Sequence, residues 1–329
     1  MRWGILGTGW IAAQFTRSVQ AHTRQRIVAV GSRSAEKAAS FAAAHAIPQA
    51  VAGYEALLAR NDIDIVYVAT PHNHHHGHVL AALMAGKHVL VEKPIALNRA
   101  QAAEMIAAAE ARGLFLAEAL WTHFLPKFDV LSQVFEAGTI GAIGSIYTEY
   151  GEYLPPTHRA FDPALAGGPL LDLGTYPVSL VSRLLGVPQA VSGFGQPDPS
   201  GVNGQLAVAM QHEGGRISTM ATTLYGFTPT NAAIIGTEGS IRFPSAFHLP
   251  GPFELRTLNG SAALRYEEAP AGHFEGLYYQ AAEAARCIAA GLTQSPRWRW
   301  EDSLASMETL DRIRAALGIG FEAAGLSES

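Results

Sequence analysis

Residues 2–12 read Arg2-Trp3-Gly4-Ile5-Leu6-Gly7-Thr8-Gly9-Trp10-Ile11-Ala12, and this stretch decides the fold. A short apolar run ends in G-x-G-x-x-A where a helical pattern opens. Each small residue has a task at that spacing. Gly7 permits a tight turn, Gly9 lets the backbone approach a diphosphate, and Ala12 keeps the helix close to the strand. The unpaired N–H groups of the helix start, with its partial positive charge, then face the phosphates. Gly7, Thr8, Gly9, Trp10 and Ile11 are therefore candidate cofactor-binding residues.

Outward from this turn, the pattern predicts further strands at 26–32, 63–70, 88–92 and 114–120. Helices are predicted at 10–20, from a Ser34 N-cap to about 45, at 75–85 with Gly86 as stop, and from an Asn98/Gln101 capping box to 112. The strands are apolar throughout rather than at every second position, as in a parallel sheet buried on both faces. Right-handed crossovers turn such an alternation into a doubly wound Rossmann sheet.

The chain has 329 residues, more than one core usually serves. Its pattern changes after Trp121. A helix is predicted at 128–137, a long strand at 143–153, one helix at 171–185, a succession of strands at 190–267, and helices at 276–290 and 301–317. Leu206, Val208 and Met210 alternate on one face, and Glu213-Gly214-Gly215 supplies a hairpin turn. The expected class is α/β: a Rossmann domain over 1–121, then an α+β substrate-binding and dimerisation domain over 122–329 with a large, mostly antiparallel sheet.

The formal net charge is −5, which favours neither nucleic acid nor an anionic membrane as partner. The single cysteine, Cys287, excludes an intramolecular disulfide and a cysteine-based zinc site. The first strand begins almost at once, with no signal-peptide pattern, and no apolar run reaches membrane-spanning length. A cytoplasmic protein is expected.

The residues after the second strand bear on the cofactor. NAD sites usually carry a carboxylate there. Here Gly31-Ser32-Arg33-Ser34 has no acid until Glu36. Ser32 can donate to a 2′-phosphate, Arg33 adds charge and Lys37 assists, so NADP is expected in preference to NAD. The competing reading of Arg33 is a solvated surface charge.

Val91-Glu92-Lys93-Pro94 follows the strand at 88–92. Ala69-Thr70-Pro71 with His75, Ala85-Gly86-Lys87-His88-Val89, and Gly167-Gly168 followed by Asp172 and Gly174 complete an ordered set. The set resembles the Gfo/Idh/MocA oxidoreductases. The segments 118–126 and 171–176 resemble the branch of dimeric dihydrodiol dehydrogenases and NADP-dependent D-xylose dehydrogenases. Many members have histidine where this chain has Tyr176, and His123 stands where the mammalian-type dihydrodiol enzymes tend to have arginine. The resemblance implies hydride transfer at a carbinol or carbonyl carbon, with Thr70, Pro71, Asn73, His75, Glu92 and Lys93 near the cofactor. It also implies a homodimer through the second-domain sheet.

Tyrosine, with a pKa of about 10, is a poor base alone, but a lysine ammonium beside it stabilises the phenolate. Lys93 lies just past the C-terminal end of a strand, where ligands bind such sheets. Asp172 and Tyr176 are four apart, which on one helix puts both on one face. The expected roles are Tyr176 as acid/base, Lys93 as charge partner and substrate ligand, and Asp172 as positioning group. Against these stand a solvated Lys93, a helix-capping Asp172 and a core tyrosine. Trp121, His123, Phe124, Tyr153, Arg159 and Phe274 are candidates to line a pocket for a sugar ring or cyclic diol.

His72 with His76, and His74 with His78, have the spacing of helical metal ligands. No acidic or cysteine partner lies nearby in sequence, and no metal is expected. The leading function is an NADP-dependent dehydrogenase acting on a cyclic polyol, sugar or dihydrodiol. The alternative is a non-catalytic NADP-binding sensor or regulatory protein.

Overall fold

The structure, a computed structural model, describes residues 1–258, 263–321 and 325. Two compact units form. One comprises Met1–Ala96, Ala100–Phe124 and Gly272–Trp300; the other comprises Leu97–Arg99, Leu125–Ala271 and Glu301–Ser329. The sequence reading divides the chain once, at Trp121, and leaves 272–300 with the second domain. In the structure those residues cluster with the first unit.

In chain order the first unit contains β1 (Arg2–Leu6), α1 (Trp10–His22), β2 (Arg26–Ser32), α2 (Ala35–Ala44), β3 (Gln49–Ala52), α3 (Tyr54–Leu58), β4 (Ile65–Val68), α4 (His75–Met84), β5 (His88–Glu92), α5 (Arg99–Arg112) and β6 (Leu116–Ala119). The six strands are all parallel, in the order β3-β2-β1-β4-β5-β6. The order reverses between β1 and β4, so the crevice beyond their carboxyl ends is the natural ligand position. Phe15 of α1 stacks on Tyr67 of β4 at 3.9 Å and meets Trp3 of β1 edge-on at 5.3 Å. Burying an aromatic such as Phe15 contributes about 1.5–3 kcal/mol and pins α1, and with it the glycine turn, to the sheet. Ser34 caps α2 as expected, its side chain accepting from the Lys37 N–H at 3.2 Å. The sequence reading lacks β3 and α3. β3 is a four-residue edge strand, largely exposed, and its apolar run, Ala50-Val51-Ala52, is too short to stand out after the alanine-rich α2.

The second unit contains α6 (Pro126–Glu136), β7 (Ile143–Gly151), α7 (Pro169–Asp172), α8 (Thr175–Leu185), β8 (Ala190–Pro197), β9 (Asn203–Gln211), β10 (Ile217–Thr223), β11 (Ala232–Gly236), β12 (Gly239–Arg242), β13 (Phe253–Thr257) and β14 (Ala263–Tyr266). The eight strands run β14-β13-β12-β11-β7-β10-β9-β8 and pair antiparallel except for β7 with β10. α8 packs against β7 and β10. Leu206, Val208 and Met210 are buried, while Gln205, Ala207 and Ala209 of the same strand are exposed. Lys127, in the first turn of α6, is wholly buried; its ammonium donates to the Leu249 carbonyl and lies 5.5 Å from the Phe243 ring centre. The predicted strand run at 190–267 includes residues 259–262, which lie outside the described residues.

One expectation is corrected here. The helix predicted over 171–185 is two helices, broken at Leu173 and Gly174. The Gly174 N–H bonds back five residues to the Pro169 carbonyl at 2.8 Å, a wider turn than the α-helix makes. A Cβ on Gly174 would come within 2.6 Å of the Leu170 carbonyl oxygen, so only glycine fits. Asp172 and Tyr176 consequently stand on different helices, and their four-residue spacing is not one turn of a single helix.

After β14 the chain forms α9 (His273–Gly276) and α10 (Tyr278–Ala289) within the first unit, and α11 (Trp300–Leu317) follows. The returning segment closes the β6 edge. Leu116 N–H donates to the Thr293 carbonyl at 3.0 Å, Trp300 Nε1 donates to the Leu116 carbonyl at 2.9 Å, and Trp298 Nε1 donates to the buried Glu118 carboxylate at 3.1 Å.

Candidate active site

The glycine turn has the geometry its spacing demands. Gly7 has φ +105°, and a Cβ there would sit 2.6 Å from the Ala69 carbonyl oxygen, so the fold itself requires glycine. At Gly9 a Cβ would meet nothing within 4 Å. The fold leaves that space open, and a side chain would fill the cradle into which a diphosphate fits. α1 starts there without a side-chain cap and without an acid in its first turn. The donors and the dipole are thus free to face an anion.

At the end of β2, Ser32 is buried and its hydroxyl accepts from the Ser34 N–H at 3.3 Å. Arg33 and Lys37 are exposed, and among the described residues neither meets a carboxylate. The Arg33 charge reaches Tyr54, His74 and His78, and after burial it is the cause that holds the His74 imidazole below the usual histidine range.

Beyond β4, Thr70 is buried and its hydroxyl pairs with His78 Nδ1 at 2.9 Å. Pro71 precedes a 3-10 turn, His72–His74, that carries Asn73. His75 is buried between two carbonyls, with Nδ1 2.8 Å from Pro94 O and Nε2 2.9 Å from Thr70 O. It ties the loop after β4 to the loop after β5, and burial first of all pushes its pKa down to about 3. His76 meets Glu104 of α5 at 2.8 Å, an acidic partner that sequence proximity did not show. Among the described residues no group of three or more His, Cys, Asp or Glu gathers as for a metal ion.

Lys93 follows β5, and its bond to Pro94 is cis. Glu92 before it is buried, accepting from the Tyr67 hydroxyl and from the Lys93 N–H at 3.2 Å. Burial pushes the Glu92 carboxyl up to about 7, against the pull of Tyr67 and Lys93. Glu92 therefore braces the Lys93 backbone from within. Trp121, His123 and Phe124 share a 3-10 turn after β6, and all are buried. The His123 ring stacks on Trp298 at 4.1 Å, and the Phe124 carbonyl accepts from Arg297 at 3.0 Å. These contacts are core packing of the first unit. Trp121 differs in meeting the His273 ring at 4.9 Å. Phe274 lies against His22, ring centres 5.1 Å apart.

The second unit gathers a separate group. Tyr176, 4% exposed, lies with its ring centre 4.8 Å from His248 and 5.8 Å from Tyr150, and His248 stacks on Tyr150 at 4.4 Å. The Tyr150 hydroxyl donates to Glu152 at 2.6 Å. Burial, then Glu152, Tyr176 and Asp172, raise the Tyr150 pKa far above the tyrosine range, so this phenol stays protonated. Asp172 accepts from Arg159 at 2.9 Å. Tyr153 is 68% exposed and bridges to Tyr225, outside this cluster. The sequence reading passed over Tyr150, Glu152 and His248. The alternation of Ile146, Thr148 and Tyr150 along β7 was the one available signal for Tyr150.

Comparison with known proteins bears on both units. Residues 1–119 match the description "Oxidoreductase family, NAD-binding Rossmann fold", and residues 128–242 match "GFO/IDH/MocA C-terminal domain". The chain belongs to the Gfo/Idh/MocA oxidoreductase family. Within it, the chain is 34% identical over 330 residues to trans-1,2-dihydrobenzene-1,2-diol dehydrogenase of Bos taurus, covering 98% of each chain. It is 32% identical to that of Homo sapiens, again over 98% of each. A solved 3-ketoreductase from Actinomadura kijaniata, in complex with NADP and TDP-benzene, superposes with a TM-score of 0.84 at 26% identity, over 96% of this chain and 98% of the other. A levoglucosan dehydrogenase shares the fold, with a TM-score of 0.86 at 20% identity over 97% of each chain. As a Gfo/Idh/MocA member the protein is an NAD(P)-binding oxidoreductase of the dehydrogenase kind. Among the described residues no helix is long and apolar enough to cross a membrane.

Proposed function

We propose that the protein is an NADP-dependent dehydrogenase that oxidises a secondary hydroxyl of a cyclic polyol, sugar or dihydrodiol, or reduces the matching carbonyl. The observation that carries this reading is Tyr176, a buried phenol beside an aromatic cluster and close in the chain to the Arg159–Asp172 pair. Relatives at a third identity over the whole chain act, by name, on a cyclic diol, which supports the substrate class.

The nicotinamide, when bound, supplies the hydride acceptor or donor. The residues of the chain manage the proton and the pose. In oxidation Tyr176, as the phenolate, takes the carbinol proton and becomes the phenol, and in reduction the phenol returns that proton to the forming alkoxide. The Lys93 ammonium donates to the reacting oxygen and stabilises negative charge there. Asp172, held by Arg159, accepts from a substrate hydroxyl and fixes the ring that bears it. Trp121 and Phe274 supply an apolar wall suited to a ring. His123 and Phe124, packed as they are, serve that wall from behind. Glu92, His75 and Thr70 brace the loops that carry Lys93 and the cofactor, with Pro71 and Asn73 in the same loop.

NADP over NAD rests on Arg33 and Lys37, cations without a carboxylate partner among the described residues, and on Ser32. A cytoplasmic location accords with the single, buried, free thiol of Cys287. We take the working form to be a homodimer through the outer face of the large sheet, where Phe194 is 87% exposed beside Tyr147, Ala207 and Ala209. A panel of aldoses, inositols and dihydrodiols with NADP, followed by nicotinamide absorbance, tests the function. Turnover with at least one class is expected, and none with any class would sink the reading.

A further inference from the structure

His273 opens α9 directly after Gly272, and nothing in the reaction above uses it. Its imidazole lies between two tryptophans. Trp10 meets it edge-on at 5.1 Å and Trp121 meets it tilted at 4.9 Å. Trp10 belongs to the glycine turn itself and is 63% exposed, whereas Trp121 is buried behind β6. The charge of Lys93 also reaches the ring. Burial and then Lys93 push the His273 pKa down to about 4, so at neutral pH the imidazole is uncharged, with one N–H to donate. Among the described residues no group hydrogen-bonds to either of its ring nitrogens.

The segment that carries it is firmly seated. The Ser18 hydroxyl of α1 donates to the Phe274 carbonyl at 2.5 Å and accepts from the Tyr278 N–H at 3.0 Å. His22 packs against both Phe274 and Tyr278, at 5.1 and 4.7 Å. The imidazole is thus presented from a braced element rather than from a loose loop.

Sheet order says which part of a dinucleotide it faces. Ser32 ends β2 and Arg33 follows it, on one side of β1, while Lys93 and Trp121 follow β5 and β6, on the other. A dinucleotide laid across the switch point has its adenosine toward β2 and its nicotinamide toward β5. His273 touches the turn through Trp10 and neighbours Lys93 and Trp121, so it stands on the nicotinamide side.

We infer that His273 is a cofactor-positioning residue whose N–H, flanked by Trp10 and Trp121, holds the nicotinamide-ribose and diphosphate half of the bound dinucleotide and slows its release. The inference rests only on dinucleotide binding at the glycine turn, and on neither Tyr176 nor the substrate class.

Stopped-flow release of NADPH, read by loss of energy transfer from tryptophan, tests it in wild type, His273→Ala and His273→Phe. Adenosine 2′,5′-bisphosphate, which lacks the nicotinamide half, is titrated alongside. Both variants should release NADPH about tenfold faster, the scale of one lost hydrogen bond, with bisphosphate affinity unchanged. His273→Phe keeps a flat ring between the tryptophans, so packing survives while the N–H is lost. Release at the wild-type rate from His273→Phe, or an equal weakening of NADPH and bisphosphate, overturns the proposal. Should the chain prefer NAD, NADH and AMP replace the two probes, and the Arg33 reading then fails separately.

Discussion

One guanidinium nitrogen of Arg159 lies 2.9 and 3.1 Å from the two carboxylate oxygens of Asp172. The carboxylate end is largely buried and the arginine half exposed, so the arginine reaches in from solvent to hold the acid. Removing it takes one charge-assisted contact from a largely buried carboxylate, and because the arginine is half exposed the cost is about 1 kcal/mol. Arg159→Met should lower thermal stability and raise KM for the best substrate while leaving cofactor affinity alone. Unaltered KM and melting temperature would show that the pair positions nothing.

Tyr176→Phe keeps the ring against His248 and Tyr150 and removes only the hydroxyl. Turnover should fall by about a hundredfold or more, the usual scale for an acid–base group, with NADP affinity little changed. Lys93→Met should cost a similar factor, and the double variant little more, because groups that act as a unit do not add. Near-normal turnover by Tyr176→Phe on the best substrate would move the proton-transfer role to another residue.

Arg33→Asp replaces attraction for a 2′-phosphate by repulsion. NADP affinity should drop roughly tenfold to a hundredfold, the worth of a charge-assisted contact, while NAD affinity holds or improves. Calorimetric titration of both coenzymes decides, and parallel losses for the two would leave Arg33 a surface charge.

Lys127 gives a pH signature unconnected with catalysis. Burial pushes its pKa down to about 7, with Glu268 resisting, whereas an unfolded lysine titrates near its usual value of about 10.4. Between these values the unfolded chain binds more protons, so stability rises with pH across the window and is flat below it. The rise attributable to Lys127 is on the order of a few kcal/mol. Urea midpoints at the two ends of the window should differ less in Lys127→Met than in wild type. Identical slopes would contradict a buried, depressed lysine.

Sedimentation at micromolar concentration should give a dimer. Phe194→Glu places a charge on the exposed sheet face, which is costly to bury in an interface, and should shift the equilibrium to monomer. A wild type that sediments only as monomer would remove the sheet face from consideration.

The parts of the fold visible in the sequence were those enforced locally. The demands of Gly7, Gly9 and Ala12 fall within a few residues of one another, Ser34 caps the helix it precedes, and β5 carries Val89, Leu90 and Val91 without a polar interruption. β3 escaped because its three apolar residues, Ala50, Val51 and Ala52, are too few and too small to show a strand beside the alanine-rich α2. The break at Gly174 escaped because a glycine inside a helical pattern reads as tolerated, and only the approach of the Leu170 carbonyl makes it obligatory. His248 and His273 were invisible for a different reason. Each matters through rings brought to it from distant segments, and no local pattern marks such a partner.

The return of Gly272–Trp300 to the first unit sets an order of events during synthesis. When the ribosome has released β6, its edge still lacks Thr293 and Trp300, and Glu118 still lacks Trp298. At roughly 5–20 residues per second, those partners arrive on the order of ten seconds later. Until then the nascent half exposes an unpaired strand edge and a carboxylate destined for burial, a surface on which chaperones act. A chain interrupted anywhere between the two segments would carry the complete glycine turn and yet be unable to finish the sheet that holds it.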